Sequence, residues 1–110
     1  MYKQGEIVIV PFPFSDLSSI KQRPVLVLSK NVDNEETENI ITCGITSNVK
    51  DARYSVLFDN NNLIDGNVPK QSRVKVDKLF TISRDIVKKK VGRINKETFE
   101  KVKSEFIKLV

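Results

Sequence analysis

Apolar residues recur along this chain at two different periods. Up to about residue 94 they come in short runs, alternating or continuous, which is the signature of strands. From residue 95 they recur every three or four positions, which is the signature of a helix. "EIVIVPF" (6–12) predicts a first strand, and "PFSDLSSIKQ" (13–22) a long loop. Pro24–Ser29 predicts a second strand whose unbroken run Val25–Leu28 is buried on both faces. "KNVDNEETE" (30–38) is a polar connection. Asn39–Thr46 predicts a third strand with Ile41, Cys43 and Ile45 on one face. "YSVLF" (54–58) predicts a fourth, and "DNNNLIDGNVPK" (59–70) an irregular, turn-rich stretch. "SRVKVDKLFTI" (72–82), with Val74, Val76 and Leu79 facing inward, and the basic "IVKKKVGRI" (86–94) complete the strands.

The helix predicted over 95–110 has Asn95 as N-cap, and Phe99, Val102, Phe106 and Leu109 form one face. Glu97 and Glu100 lie near its positive end and Lys108 near its negative end. It serves either as a lid over an open sheet or as a dimerisation helix. Five or six short strands and one terminal helix describe a mainly β protein, a small and strongly curved antiparallel barrel or sandwich.

Length changes the picture little: 110 residues make one domain, 1–110, large enough to bury a core without staples. Nothing approaches the run of about 20 apolar residues that would span a membrane, and the N-terminus lacks the pattern of a signal peptide. The single cysteine, Cys43, allows no internal disulfide, so a cytoplasmic location is expected. Charge changes the picture more. Residues 1–69 hold 6 Lys/Arg and 9 Asp/Glu, a balance of −3, whereas residues 70–110 hold 13 and 5, a balance of +8. The basic half is either a solvated lysine-rich surface or a face for an anionic partner such as RNA, DNA or an acidic protein segment.

With no histidine, catalysis through a His acid/base pair or a Ser-His-Asp triad is excluded. One cysteine cannot build the usual zinc site, and "DNEETE" (33–38) reads as a solvated loop rather than a metal site. The four glycines are isolated, so no phosphate loop or other cofactor motif is present, and no cofactor is expected. What remains is Arg23, placed directly before Pro24 at the mouth of a core strand. A residue preceding proline is pushed into an extended conformation, and proline is tolerated at a strand's first position. If strands 24–29 and 39–46 pair antiparallel about residue 34.5, Arg23 falls opposite Thr46. Arg23 is then either a guanidinium aimed at a phosphate or a surface arginine that caps the strand or pairs with Asp16. Lys70, Arg73, Lys75 and Lys78, with Lys88–Lys90, either line a groove for RNA phosphates, attract an acidic protein, or protect an edge strand.

Taken together, "GEIVIVPF" (5–12), "RPVLVLS" (23–29), "ITSN" (45–48) and "SRVKVDKLFTI" (72–82) resemble the MazF/PemK family of toxins from bacterial toxin–antitoxin modules, over residues 5–110. The resemblance implies an SH3-like barrel of the CcdB/MazF type with a C-terminal helix, assembled as a homodimer. It implies a metal-independent, sequence-selective endoribonuclease that cleaves single-stranded RNA by 2′-hydroxyl attack, leaving a 2′,3′-cyclic phosphate and a 5′-hydroxyl. An acidic antitoxin would block the RNA groove and bind DNA together with the toxin. The family's catalytic arginine and threonine map to Arg23 and Thr46. Substrate contacts map to Ser72, to Ser47 and Asn48 beside Thr46, and to Asp16, Ser18, Ser19 and Lys21 in the loop before the Arg–Pro pair. The chain departs from the family in two ways: that loop has no glycine, and Ser18 stands where many members carry a carboxylate. Two other readings of the same fold are a CcdB-like inhibitor of DNA gyrase and a barrel that binds RNA without cutting it.

Overall fold

The structure, a computed structural model, describes residues 2–13 and 20–110. Seven strands form one antiparallel sheet among these residues: β1 (Glu6–Pro13), β2 (Ile20–Val27), β3 (Asn39–Thr46), β4 (Ser55–Phe58), β5 (Leu63–Gly66), β6 (Ser72–Ser83) and β7 (Lys89–Ile94). Their order across the sheet is β4-β6-β3-β2-β1-β7-β5, and the sheet curls into a half-barrel. A short helix α1 (Asn31–Glu36) joins β2 to β3, and α2 (Lys96–Leu109) closes the chain against β4 and β6. The mainly β architecture with a C-terminal helix is therefore the expected one.

Apolar strands occupy the middle of the sheet. Val8, Val10, Val25, Val27, Ile40 and Ile82 form a cluster on one face. Ile7, Leu26 and Cys43 join Phe58, Val74, Val76 and Val102 in a second cluster on the other. Val25, Leu26 and Val27 are all fully buried, so the unbroken apolar run marks a strand covered on both faces, as the sequence predicts. α2 contributes Val102 to the second cluster, with Phe99 and Phe106 packed against it. Asn95 caps the helix by accepting a hydrogen bond from the Thr98 amide at 2.8 Å.

Several boundaries differ from the sequence expectation. β2 starts at Ile20, not Pro24, because residues 20–23 pair with β1 as a two-stranded extension, Val10 opposite Arg23 and Pro13 opposite Ile20. The polar sequence Lys21-Gln22-Arg23 conceals that pairing. The connection 30–38 contains α1, and Asn34 there is buried. Its side-chain amide donates to the carbonyls of Tyr2 and Ser29, each at 3.0 Å. β5 lies inside the stretch expected to be irregular. Gly66 ends it in the left-handed region (φ 75°), where a Cβ would clash with the Val91 carbonyl. β7 begins at Lys89 and lies between β1 and β5, but β5 pairs only with its end, Gly92 to Ile94, so Lys89 and Lys90 stand where β1 alone pairs with the strand. Leu79 is 43% exposed rather than buried: it lies opposite Cys43, in a groove beside α2 that it lines with Ile41, Phe106 and Ile107.

The two anchors of α2 separate cleanly by mutation. Val102→Ala is expected to cost about 2 kcal/mol by opening a cavity in the second cluster. Asn95→Ala costs about 1 kcal/mol by exposing an uncapped turn. Denaturant unfolding of the two variants checks both values and their order.

Candidate functional site

The site is created where the β2–β3 ladder stops. Pairs Val25↔Gly44, Leu26↔Cys43 and Val27↔Thr42 follow the register expected from the sequence. The Leu28 amide donates to the Ile41 carbonyl at 2.8 Å, so even-numbered residues of β2 turn their backbone groups toward β3. The next such group would be the amide of Pro24, which has no hydrogen to give. Hydrogen bonding to β3 therefore ends, while β1 continues to hold β2, with Ile9 opposite Pro24 and Val10 opposite Arg23. Beyond that point no β2–β3 pair is formed, and Arg23, Pro24, Ile45 and Thr46 make a wall shared by two concavities.

The first concavity, about 470 Å³, is completed by Asn48, Lys50, Asp51 and Ala52 from the β3–β4 connection and by Lys75, Lys78 and Phe80 from β6. The register shift explains Lys78, whereas Lys75 lies before it, opposite Gly44. Residues 76–78 have no partner on β3, and this excess turns Lys78 over Gly44, where a Cβ would stand 3.4 Å from that of Lys78. Three lysines and Arg23 against one carboxylate make this a positive surface.

The second concavity, about 580 Å³, lies on the other side of the wall and is lined by Ser47, Asn67, Pro69, Lys70 and Ser72, among others. Its rim is set by Asn60, whose side chain accepts from the Val68 amide at 2.7 Å and donates to the Val68 carbonyl at 3.1 Å. Ser72 is buried, and its hydroxyl donates to the Lys70 carbonyl at 3.0 Å, which ties down the turn that carries that lysine.

Thr46 is oriented as well. Its Oγ1 accepts from the Asn48 amide at 3.1 Å, which leaves the hydroxyl proton available to a ligand. Of the residues singled out in the sequence, the structure thus brings together Arg23, Thr46, Ser47, Asn48 and Ser72. Lys21 is exposed on β2 opposite Phe12, not in a loop, and lines neither concavity. Asp16, Ser18 and Ser19 lie outside the described residues.

Other basic residues divide by position. Lys70, Lys75 and Lys78 line the concavities, and Arg73 does not. Lys88–Lys90 line neither. Lys90 bonds Asp65 at 3.0 Å and lies 3.3 Å from buried Glu6. Hydrogen bonds to Asp65 and then to Glu6 hold its ammonium pKa above the usual lysine value, so it remains a cation committed to structure. Burial pushes the Cys43 thiol up to about 12, which leaves it protonated and inert. Lys50, Asn67 and Phe80 were not signalled by the sequence, since only the register shift and the turns around 47–53 and 67–71 aim them at the site.

Comparison with known proteins gives a consistent picture. No curated protein matches the chain significantly by sequence. Among solved structures, an endoribonuclease in complex with its cognate antitoxin from a mycobacterial species superposes with a TM-score of 0.81. It is 16% identical over 98% of this chain and 93% of that chain. MazF of a MazE–MazF complex from Deinococcus radiodurans gives 0.79, at 19% identity over 98% and 94%. The Mycobacterium tuberculosis toxin MazF-mt6 gives 0.74, at 23% identity over 92% and 91%. At these identities the likeness establishes the fold. The family model for the PemK-like, MazF-like toxin of type II toxin–antitoxin systems matches residues 3–110, and the chain belongs to that family.

Proposed function

We propose that this chain is the endoribonuclease toxin of a type II toxin–antitoxin module, cleaving single-stranded RNA without a metal. The observation that carries the reading is the wall of Arg23 and Thr46 between two concavities lined by Lys50, Lys75, Lys78 and Lys70, in a chain of the PemK/MazF family. Relatives described as endoribonucleases share the fold. The donor set suits this chemistry: Arg, Thr and Lys bind phosphate well, and Asp51 is the one carboxylate that lines either concavity among the described residues.

In the reaction the ribose 2′-oxygen attacks the adjacent phosphorus, its proton passes to a base, the bond to the 5′-oxygen breaks, and that oxygen takes up a proton. Arg23 stabilises the charge that develops on the phosphorane, where a fixed cation is worth several kcal/mol. The Thr46 hydroxyl donates to a phosphate oxygen. Asp16, in the segment between β1 and β2, is the carboxylate that the sequence offers for the 2′-hydroxyl proton. Ser47, Asn48 and Ser72 contact the flanking nucleotides, and Ser18, Ser19 and Lys21 are the further contacts that the family resemblance offers. The proposal places the protein in the cytoplasm as a homodimer, held inactive by an acidic antitoxin that competes with RNA for the cationic concavities; structures of similar fold are complexes of a toxin with its antitoxin. No helix among the described residues is long and apolar enough to cross a membrane.

Arg23→Ala is expected to reduce cleavage of single-stranded RNA in EDTA by at least about 10²-fold while the unfolding midpoint stays near wild type. A folded variant that cuts at the wild-type rate defeats the assignment. The lysines are expected to separate by salt dependence. Combined Lys50→Ala, Lys75→Ala and Lys78→Ala lowers the slope of log K against log salt by about 2, each lost phosphate contact removing roughly 0.7. Lys88→Ala with Lys89→Ala leaves it unchanged. Equal slopes for the two variants would place the RNA elsewhere.

A further inference from the structure

β3 and β4 are consecutive in sequence but not neighbours in the sheet, since both pair with β6, one on each side. Their connection, residues 47–54, must therefore cross over β6. Arg73 sits under the crossing. Its backbone is opposite Thr46 on one side and Leu57 on the other. Its guanidinium is directed into the connection at three places. Nε donates to the Val49 carbonyl at 3.0 Å, one terminal nitrogen donates to Ser55 Oγ at 3.2 Å, and the other lies 3.6 Å from Asp51 Oδ1. The Arg73 side chain is only 12% exposed, and it lines neither concavity. Ser55 adds a second tie by donating to the Ala52 carbonyl at 2.6 Å. The segment so held supplies Asn48, Lys50, Asp51 and Ala52, which make up the outer wall of the first concavity.

We propose that Arg73 is a positioning residue for base selectivity. By clamping the 47–54 crossing, it fixes the wall against which the nucleotide on one side of the cleaved phosphate is read. The inference rests on the endoribonuclease reading and adds to it a division of labour. Arg23 and Thr46 act on the phosphate, Thr46 being placed by its backbone pairing in the β3–β6 ladder, while the Arg73 side chain holds residues 49–55. Asn48 and Asp51 offer an amide and a carboxylate, groups that discriminate base edges only when their backbone is held still. A lysine at position 73 would retain the charge but lose the fork that reaches three acceptors at once.

The test is the ladder of cut sites on a long RNA in EDTA, scored as the ratio of cleavage at the preferred sequence to cleavage at sequences differing by one base. Arg73→Ala is expected to flatten that ratio by about tenfold at one position flanking the cut, and Arg73→Lys to restore part of it. Total cleavage should fall by less than the ratio does. Ser55→Ala removes one acceptor and the tie to Ala52 without touching the arginine, so it decides the matter if Arg73→Ala does not fold. It is expected to flatten the same position. An unchanged ranking of cut sites, or a uniform fall at every site, in a folded variant overturns the inference while leaving the endoribonuclease reading intact. Wild-type protein that cuts no RNA overturns both.

Discussion

Pro24 is one missing hydrogen-bond donor, and the geometry of the site depends on it. β2 is held by β1 along its whole length, yet its ladder with β3 ends at Val25↔Gly44, where the next backbone group directed toward β3 belongs to the proline. Two strands that would otherwise continue side by side release each other just there. Arg23 and Thr46 both line the wall at that place, which two concavities share. The strain of opening a sheet is carried by the residues behind, because Val25, Leu26 and Val27 are buried on both faces and cannot shift without disturbing two apolar clusters.

Connections between strands are held by single side chains that bond to backbone. Asn34 fixes the α1 turn to Tyr2 and Ser29, Asn60 clamps Val68, and Arg73 grips the crossing over β6. This follows from the topology. A seven-stranded order in which β4 and β5 end up at opposite margins requires connections that pass over other strands, and their backbone groups must find partners outside the ladders. Asn and Arg suit that task because each offers several donors or acceptors in a fixed plane. Two of these anchored connections, the crossing held by Arg73 and the turn held by Asn60, line the concavities, so rigidity and recognition share their residues there.

Much of this was legible in the sequence, and the reasons are specific. β3 has the bounds expected, since an alternating run between polar flanks has only one way to lie in a sheet. The register between β2 and β3 followed from a connection short enough to fix the pairing centre. α2 was marked by its period and by Asn95. Less was legible where polar residues form regular structure. β5 was hidden among asparagines, α1 among acidic residues, and the first half of β2 in a lysine–glutamine–arginine run. In each case pairing or packing with a distant element, not local preference, decides the conformation.

The sequence by itself determined which residues are candidates: without histidine and with one cysteine, an arginine beside a proline and a threonine at the end of the next strand were the constellation left, beside the buried run Val25–Val27. Tertiary structure alone decided what surrounds them. Lys78 reaches the site because three residues of β6 are left unpaired opposite β3, whereas Lys75 and Arg73 lie in one unbroken register and differ in what their side chains meet, Arg73 being held by the crossing. Charge is a property of the residue and can be counted along the chain. Direction is a property of the pairing, and a shift of register reverses it.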